Sequence, residues 1–396
     1  MRVMVVHNRY RSGSPSGENR VVDQESEALA AAGTDVVRFE KSSDEIAQWS
    51  AAKKATLPAR IVWNPQARRE LAAAVRKTRP DVVHVHNTFP LLSSAVLYAC
   101  RDAAVPVVAT MHNYRLACTS GDFFRQGSVC HDCAHSSPVP GVLRGCYRGS
   151  RAASLPTAIT ISTQRSAWRS LVSAYVFISA SQRDLLAGLD LAQNRVFVAH
   201  NLVPCREVPA LPKRHMVMYA GRLDEVKGIR LLMSAWDQYL SMPRGTPLSL
   251  VIAGAGSLEQ EVATWASSRP SVEMVGHVTS AHCAELMSQA RAVLVPSVWE
   301  ETFGLVVVEA MAQGVPPIAA GHGSLAELID PGVNGALFRP GDPAALAQAI
   351  GDVAAHPDLY LSYGEQARKS YEQQFSPEDH LERLLGIYRF AIENPV

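Results

Sequence analysis

Short apolar runs alternate with longer amphipathic runs along the first half of the chain. The apolar runs are rich in β-branched residues, a pattern typical of strands buried on both faces of a parallel sheet. Such strands are predicted at Met1–His7, Asp35–Phe39, Asp81–His86, Val105–Met111, Tyr175–Ile178 and Val196–Ala199. The runs between most of them, for example Asn19–Ala32, have the spacing of helices that cover a sheet.

The same alternation restarts at His215. Strands are predicted at His215–Gly221, Leu248–Ala253, Val272–Val275, Ala292–Pro296 and Pro317–Ala320, and helices at Gly228–Leu240, Gln260–Ala266, Ala281–Ala290 and Phe303–Gln313. Between the halves, Asn201–Arg214 holds three prolines and no regular period, which is typical of a linker. Ser376 and Pro377 have the residue types of a helix N-cap and first helical position, so they predict a last helix. The pattern as a whole predicts two α/β domains with parallel sheets.

One segment, Cys118–Cys146, breaks the alternation and has the composition of a loop. Its cysteines follow the spacing C-x11-C-x2-C-x12-C, at Cys118, Cys130, Cys133 and Cys146. Four thiolates with one close pair are a ligand set for a structural zinc ion, although the outer spacings are looser than those of a zinc ribbon. Reduced cysteines that pack in a core are the alternative.

Composition and charge exclude several classes of protein. The chain has 396 residues, enough for two to three domains, and its 47% of hydrophobic residues excludes a disordered chain. The 38 Lys and Arg residues against 37 Asp and Glu residues give a net charge of +1, so no overall field favours nucleic acid or a membrane. We find neither a membrane-length apolar run nor a secretory signal, and we therefore expect a cytoplasmic protein without a disulfide framework.

Two glycines shape the loop that follows the first strand. Gly13 and Gly17, within Arg9–Asn19, allow a tight turn, and the helix after them offers free backbone amides to an anion. The segment is not G-x-G-x-x-G, which disfavours a dinucleotide-dependent oxidoreductase. A tight turn without a ligand is the other interpretation.

Two cations follow the first strand of the second half. Arg222 and Lys227 lie in AGRLDEVKG, at the carboxyl end of a predicted parallel strand, where open α/β sheets bind ligands. Arginine supplies directed donors and lysine a mobile charge, a combination that can hold a diphosphate. A solvated loop with ordinary surface charges is the alternative.

Two glutamates, Glu301 and Glu309, flank the start of a predicted helix. With the helix beginning near Phe303, Glu301 lies in the loop before it and Glu309 about two turns inside. The amides of Phe303, Gly304 and Leu305 then point at the space between the carboxylates, a natural position for a diphosphate. Because a carboxylate in the apolar run VVVEAMA needs a partner, a structural ion pair with one of the two cations above is the alternative for Glu309.

Three histidines lie at or near the ends of predicted strands. His84 and His86 occur in DVVHVHN, and His112 occurs in VVATMHNYR. Ligand crevices of open sheets form at strand ends, which favours a site role for His86 and above all for His112. A packed or capping histidine is the alternative at each position.

These motifs together resemble the retaining glycosyltransferases of family 4. In the second half the resemblance is carried by GRLDEVKG, VIAGAGSLEQEV, VEMVGHV and the block from ARAVLVPSVWEETFGL to GHGSLAELI, whose two glutamates match the family's E-x7-E signature. In the first half, GENRVVDQESEALAAAG, ATMHNYR and the four-cysteine stretch are similar to bacterial members, a subset of which carries the cysteines. One departure is PSGEN, where many members have a Gly-Gly pair.

The resemblance implies an α/β GT-B fold, in which two Rossmann-like parallel-sheet domains face a cleft. The expected domains are 1–203 on the acceptor side and 204–376 for the nucleotide sugar, with a helix over 377–396 that crosses back to the first domain. The implied reaction moves a sugar from a GDP- or UDP-linked donor to a small metabolite, a glycan or a lipid, with retention of configuration and no required cofactor or metal. The sequence leaves a homodimer open. A nucleotide-sugar epimerase or hydrolase of the same fold and a sugar-binding module without activity are the alternatives.

The same resemblance implies roles for particular residues. Arg222 and Lys227 would neutralise the leaving diphosphate. Glu309 would hold the nucleotide ribose, and Glu301 would hold sugar hydroxyls. His112 would contact the donor sugar near the reacting carbon. Further substrate contacts are expected from Gly17, Glu18, His86, Phe303, Gly304 and Leu305, and from Gly276, His277 and Val278, which would border the base.

Overall fold

The computed structural model describes residues 1–13, 16–134, 137–208, 211–242 and 247–396, and the chain divides into two compact units. The first unit comprises Met1–Arg125, Cys130–Leu202 and Pro377–Val396, and the second comprises Gln126–Val129 and Val203–Ser376. Each unit contains a six-stranded parallel sheet. The predicted α/β class with two Rossmann-like domains is therefore confirmed.

The described strands and helices are numbered in chain order. The strands are β1 (Arg2–Arg9), β2 (Asp35–Ser42), β3 (Val82–Asn87), β4 (Val107–Met111), β5 (Phe124–Arg125), β6 (Ser128–Val129), β7 (Ala174–Phe177), β8 (Val196–Val198), β9 (Met216–Ala220), β10 (Ser249–Ala253), β11 (Val272–Gly276), β12 (Ala292–Val295), β13 (Pro317–Ala320) and β14 (Ala336–Phe338). The α-helices are α1 (Gly17–Ala31), α2 (Ala51–Ala55), α3 (Leu57–Val62), α4 (Pro65–Thr78), α5 (Ala95–Asp102), α6 (Val139–Leu143), α7 (Arg151–Ser170), α8 (Ala180–Leu185), α9 (Ile229–Ser241), α10 (Glu259–Ser267), α11 (Ser280–Gln289), α12 (Leu305–Ala312), α13 (Gly323–Leu328), α14 (Pro343–Ala355), α15 (Pro357–Gln374) and α16 (Pro377–Glu393).

The order of the strands determines where each sheet can bind a ligand. The first sheet runs β2-β1-β3-β4-β7-β8, and the second runs β11-β10-β9-β12-β13-β14. The order reverses between β1 and β3 in the first sheet and between β9 and β12 in the second. Loops that leave the carboxyl ends of such a strand pair diverge and open a crevice, the usual ligand position in this class of fold.

Alternate side chains of the first sheet enter two different cores. Val83 and Val85 of β3 belong to one buried cluster, whereas Val82 belongs to a second cluster on the opposite face. Val22 of α1 and Tyr388 of α16 join the second cluster. Because side chains alternate along a strand, His84 and His86 face the same side as Val82, toward α1 and α16.

Two local predictions were wrong in detail. Helix α12 begins at Leu305 rather than near Phe303, because Gly304 adopts φ +96° and caps the helix. The segment Cys118–Cys146 is not a simple loop, since it contains β5, β6 and α6. Three predicted segments extend beyond the described residues. The loop after β1 includes residues 14–15, the cysteine segment includes residues 135–136, and the linker includes residues 209–210.

Candidate active site

The loop after β9 carries two cations at the switch point of the second sheet. Arg222 forms an ion pair with Asp224 (Nη1–Oδ2, 2.9 Å), and 42% of its side chain remains exposed. Lys227 ends a short 3-10 helix, and Gly228 with φ +71° turns the chain into α9. A Cβ atom on Gly228 would lie 1.8 Å from the carbonyl oxygen of Pro296, so glycine is required for this loop to pack against the end of β12.

Lys227 reaches the loop after β12 and contacts Glu301. Its Nζ donates a hydrogen bond to Oε1 of Glu301 at 2.6 Å, and Ser297 Oγ donates to the same oxygen at 2.7 Å. Burial alone would raise the pKa of Glu301, but the charge and hydrogen bonds of Lys227 and Ser297 outweigh it and hold the pKa below its ordinary value. Glu301 is therefore a buried anion that orients the ammonium group of Lys227 at the crevice.

Helix α12 follows this ion pair and carries Glu309. Phe303 and Gly304 are buried, whereas Leu305, Val306 and Glu309 form the stripe of the helix that stays partly exposed. Glu309 lies about 6 Å along the helix axis from Leu305, just over one turn rather than the predicted two, because the helix starts late. The carboxylate of Glu309 therefore lies on the same side of α12 as Leu305, which is in the first turn.

Gly276, His277 and Val278 lie at and just after the end of β11, the edge strand two positions from β9 in the second sheet. Gly276 ends the edge strand β11 with φ +67°, and its carbonyl accepts a hydrogen bond from Gly254 N at 2.8 Å. The side chain of His277 is exposed and that of Val278 is half-buried. Two strand spacings, about 10 Å, separate β11 from β9, which carries the cations.

In the first unit, His112 follows β4 and lies against His86. Nε2 of His112 lies 2.9 Å from Nδ1 of His86, and the two rings are stacked at 5.2 Å. Burial lowers the pKa of His86 to about 4 and holds the pKa of His112 well below its ordinary value, so both rings are neutral at pH 7. The side chain of His86 is fully buried against His112, and a substrate contact of His86 stays a prediction.

Gly17 and Glu18 open α1, next to the crevice of the first sheet. Gly17 is exposed, while Oε2 of Glu18 accepts hydrogen bonds from Tyr10 Oη (3.1 Å) and Asn113 Nδ2 (3.3 Å). In the part of the chain that the structure describes, Oε1 of Glu18 is buried without a hydrogen-bond partner. Burial raises the pKa of Glu18 to about 7, against the lowering effect of Tyr10, Asn113 and Arg115. A carboxyl group that titrates near neutral pH therefore lies beside Asn113.

Sequence reasoning missed the buried groups that support His86. Glu25 belongs to α1. Its Oε1 lies 3.3 Å from Nε2 of His86, and its Oε2 lies 3.0 Å from Nε2 of His380 on α16. The available signal was the position of Glu25 in the buried stripe of α1, between Val22 and Leu29, where a charge needs a partner.

The four cysteines of the predicted zinc site line one cavity of about 10 Å³. All four are free thiols. In the described part of the chain, the group of three possible metal ligands whose atoms lie within 4.8 Å of one another consists of Glu25, His84 and His86. The sulfur atoms of the four cysteines do not form such a group, so they are farther apart than the ligands of one metal ion. A zinc ion at the cysteines remains a hypothesis from their spacing alone.

Comparisons with known proteins cover both halves of the chain. The family model described as Glycosyl transferases group 1 matches residues 206–370, and the model described as Glycosyltransferase Family 4 matches residues 15–207. A glycogen synthase of Mycobacterium tuberculosis is 26% identical over 95% of this chain and 91% of its own length. A D-inositol 3-phosphate glycosyltransferase of Catenulispora acidiphila is 28% identical over 79% of this chain and 73% of its own length.

Solved structures share the fold at low sequence identity. HepE of Anabaena, solved in complex with UDP, superposes with a TM-score of 0.68 at 17% identity and covers 98% of this chain and 99% of its own. Sucrose-phosphate synthase of Thermosynechococcus elongatus superposes with a TM-score of 0.70 at 20% identity, covering 98% of both chains. Within the described residues, we find no helix with the length and hydropathy needed to span a membrane.

Proposed function

Since the chain is a glycosyltransferase with the GT-B fold, we propose that it transfers a sugar from a nucleoside diphosphate sugar to an acceptor with retention of the anomeric configuration. The observation that carries the proposal is the contact of Lys227 with Glu301 at the switch point of the second sheet, beside Arg222. Two cations at the carboxyl ends of parallel strands can stabilise the negative charge that develops on a leaving diphosphate.

The remaining groups of the second unit fit the other parts of such a donor. Glu309 lies on the partly exposed side of α12, where its carboxylate can accept hydrogen bonds from the ribose hydroxyls. The amides of Gly304 and Leu305 open that helix and favour an anion. The loop Gly276–Val278 lies about two strand spacings from the cations, a separation that suits the base of a nucleotide.

The first unit supplies groups for the sugar and the acceptor. His112 is neutral and directly follows β4, so in this proposal it contacts the sugar near the reacting carbon. Glu18 and Gly17 border the crevice of the first sheet, where the acceptor is proposed to bind. No side chain is needed as a covalent nucleophile, because the leaving phosphate can take the proton of the acceptor.

A uridine nucleotide is the first donor to test. Support comes from HepE, a structural neighbour whose structures contain UDP and UDP-glucose. A guanosine nucleotide is the second donor, and the acceptor classes are a small metabolite, a glycan and a lipid. No metal cofactor is part of the proposal, since Arg222, Lys227 and the helix amides supply the positive charge.

The test is a panel of UDP- and GDP-linked sugars, each incubated with and without candidate acceptors. Release of nucleotide that depends on the acceptor, with a product of unchanged anomeric configuration by NMR, would support the proposal. Acceptor-independent release would favour the hydrolase, and a changed sugar still linked to nucleotide would favour the epimerase. Inversion at the anomeric carbon would refute the retaining mechanism while leaving the transferase intact.

A further inference from the structure

His112 is held by a buried chain of side chains, and we propose that Glu25 positions it through His86 by selecting its tautomer. The role of His112 in transfer rests on the proposed function. The chain of contacts itself lies within the first unit and does not depend on which donor is used. Glu25 would act as a positioning residue, without touching the substrate.

The register of the first sheet brings these groups together. Pairing of β3 with β4 places His84 opposite Val108, so His86 stands opposite Thr110 and next to His112. The side chains of His86 and His112 lie on the face that α1 and α16 cover. Glu25 projects onto this face from the buried stripe of α1.

Three side chains form a continuous path from Glu25 to the strand end. Oε1 of Glu25 lies 3.3 Å from Nε2 of His86, an ion-pair contact in which neither atom has a hydrogen bond within the described residues, and Nδ1 of His86 lies 2.9 Å from Nε2 of His112. The side chains of Glu25 and His86 are 4% and 0% exposed, so no bulk water competes for these contacts. In the described part of the structure, no side chain bonds to Nδ1 of His112, although the residue is only 8% exposed.

The charges along this path determine where the protons sit. Burial alone would raise the pKa of Glu25, but His86, His84 and His380 hold it well below its ordinary value, so Glu25 is an anion. An anion next to Nε2 of the neutral His86 selects the tautomer with the proton on that nitrogen. Nδ1 of His86 is then an acceptor, and His112 must donate its Nε2–H to it. Nδ1 of His112 is left unprotonated and can accept a hydrogen bond from a hydroxyl of the sugar or the acceptor.

The other neighbours of Glu25 have partners of their own. Nδ1 of His84 also lies 3.3 Å from Oε1 of Glu25, but Nδ1 and Nε2 of His84 each lie closer, at 2.7 Å, to the hydroxyls of Tyr388 and Thr110. Nδ1 of His380 donates to the carbonyl oxygen of His200 at 2.7 Å. Loss of the charge on Glu25 should therefore affect the proton of His86, and through it His112, more than it affects the packing of His84.

The experiment compares Glu25→Gln with Glu27→Gln, an exposed glutamate on the same helix. In Glu25→Gln we expect kcat to fall about 10- to 100-fold, the range seen when the partner of a functional histidine is removed. The KM for the donor and the affinity for UDP should change less than about twofold. Glu27→Gln should match the wild type. An unchanged kcat in a folded Glu25→Gln protein would overturn the proposal.

A second measurement does not need turnover. Nitrogen-15 spectra of the histidine rings should show His112 of the wild type protonated at Nε2 and not at Nδ1, and Glu25→Gln should populate the other tautomer. A wild-type His112 protonated at Nδ1 would overturn the proposal, as would one equivalent of metal bound by Glu25, His84 and His86 in elemental analysis. If no donor or acceptor supports transfer, the proposed function fails, but these spectra still decide whether Glu25 sets the tautomer.

Discussion

Nζ of Lys227 and Oε1 of Glu301 lie 2.6 Å apart, although 74 residues separate them in the sequence. Lys227 follows β9 and Glu301 follows β12, and these strands are neighbours because the strand order reverses between them. Glu301 is buried and ionised, so the ammonium group has one fixed partner and its remaining N–H donors can face a ligand.

Replacement of Lys227 should separate catalysis from stability. Lys227→Ala is expected to lower kcat/KM about 100-fold, the scale of losing one preorganised charge. It should also lower the melting temperature, since Glu301 is then a buried charge without its cation. The double variant Lys227→Ala, Glu301→Gln should recover melting temperature but not activity. The control is Arg230→Ala, which removes an exposed cation that pairs with Glu261; normal turnover in a folded Lys227→Ala protein would contradict the assignment.

Glu309 is expected to act in nucleotide binding. Glu309→Gln should weaken the affinity for UDP or GDP about tenfold, because a carboxylate accepts hydrogen bonds more strongly than an amide. The melting temperature should change little, since the side chain is only half-buried. Calorimetric titration of nucleotide measures the first effect, and Glu259→Gln on α10 is the matched control. A large fall in melting temperature with unchanged affinity would instead indicate a structural role.

Glu18 should make stability depend on pH in a recognisable direction. Because burial raises its pKa to about 7, the folded state keeps a proton that the unfolded chain loses above about pH 4.5. The contribution of Glu18 to stability therefore declines as pH rises from about 4.5 to about 7. Glu18→Gln should raise the stability by about 1–3 kcal/mol at pH 8 and change it little at pH 4.5. Thermal melts at pH 8 and pH 4.5 test this prediction. An equal effect of Glu18→Gln on stability at both pH values would refute the raised pKa.

His112→Ala is expected to affect the chemical step more than nucleotide binding. The diphosphate is proposed to bind the second unit, whereas His112 belongs to the first. We expect kcat to fall about 100-fold and the affinity for bare UDP to stay within about twofold, the pattern of a transition-state contact. His356→Ala, an exposed histidine, serves as control. Parallel losses of affinity and turnover would argue against the role.

The cysteines should differ in their reactivity toward alkylating agents. Burial raises the pKa of Cys100 to about 12 and that of Cys133 to about 11, so little thiolate forms at pH 8. Iodoacetamide at pH 8 should therefore modify these two more slowly than the partly exposed Cys205 and Cys283, as mass spectrometry can measure. Protection of Cys118, Cys130, Cys133 and Cys146 as a group that is lost when a chelator is added would instead indicate the zinc site.

Much of the local structure could be predicted from the sequence, because buried apolar residues recur at the period of a strand or of a helix. The predicted strand at Pro317–Ala320 agrees with β13 in both bounds, and the predicted helix start at Pro377 is the start of α16. Where a boundary moved, a backbone conformation caused it: Gly304 adopts φ +96°, and α12 starts after it. The apolar pattern around Gly304 does not reveal that angle.

The sequence by itself determined the alternation of strands and helices, the glycosyltransferase motifs, the positions of Arg222 and Lys227 after a strand, and that of Glu301 in the loop before a helix. Only the tertiary structure decided that Lys227 pairs with Glu301, and that Glu25 lies 3.0 Å from His380, 355 residues away. The periodicity of apolar residues indicates which side of a strand or helix is buried. Pairs between elements depend on the order of strands and on the packing of helices, which no local pattern contains.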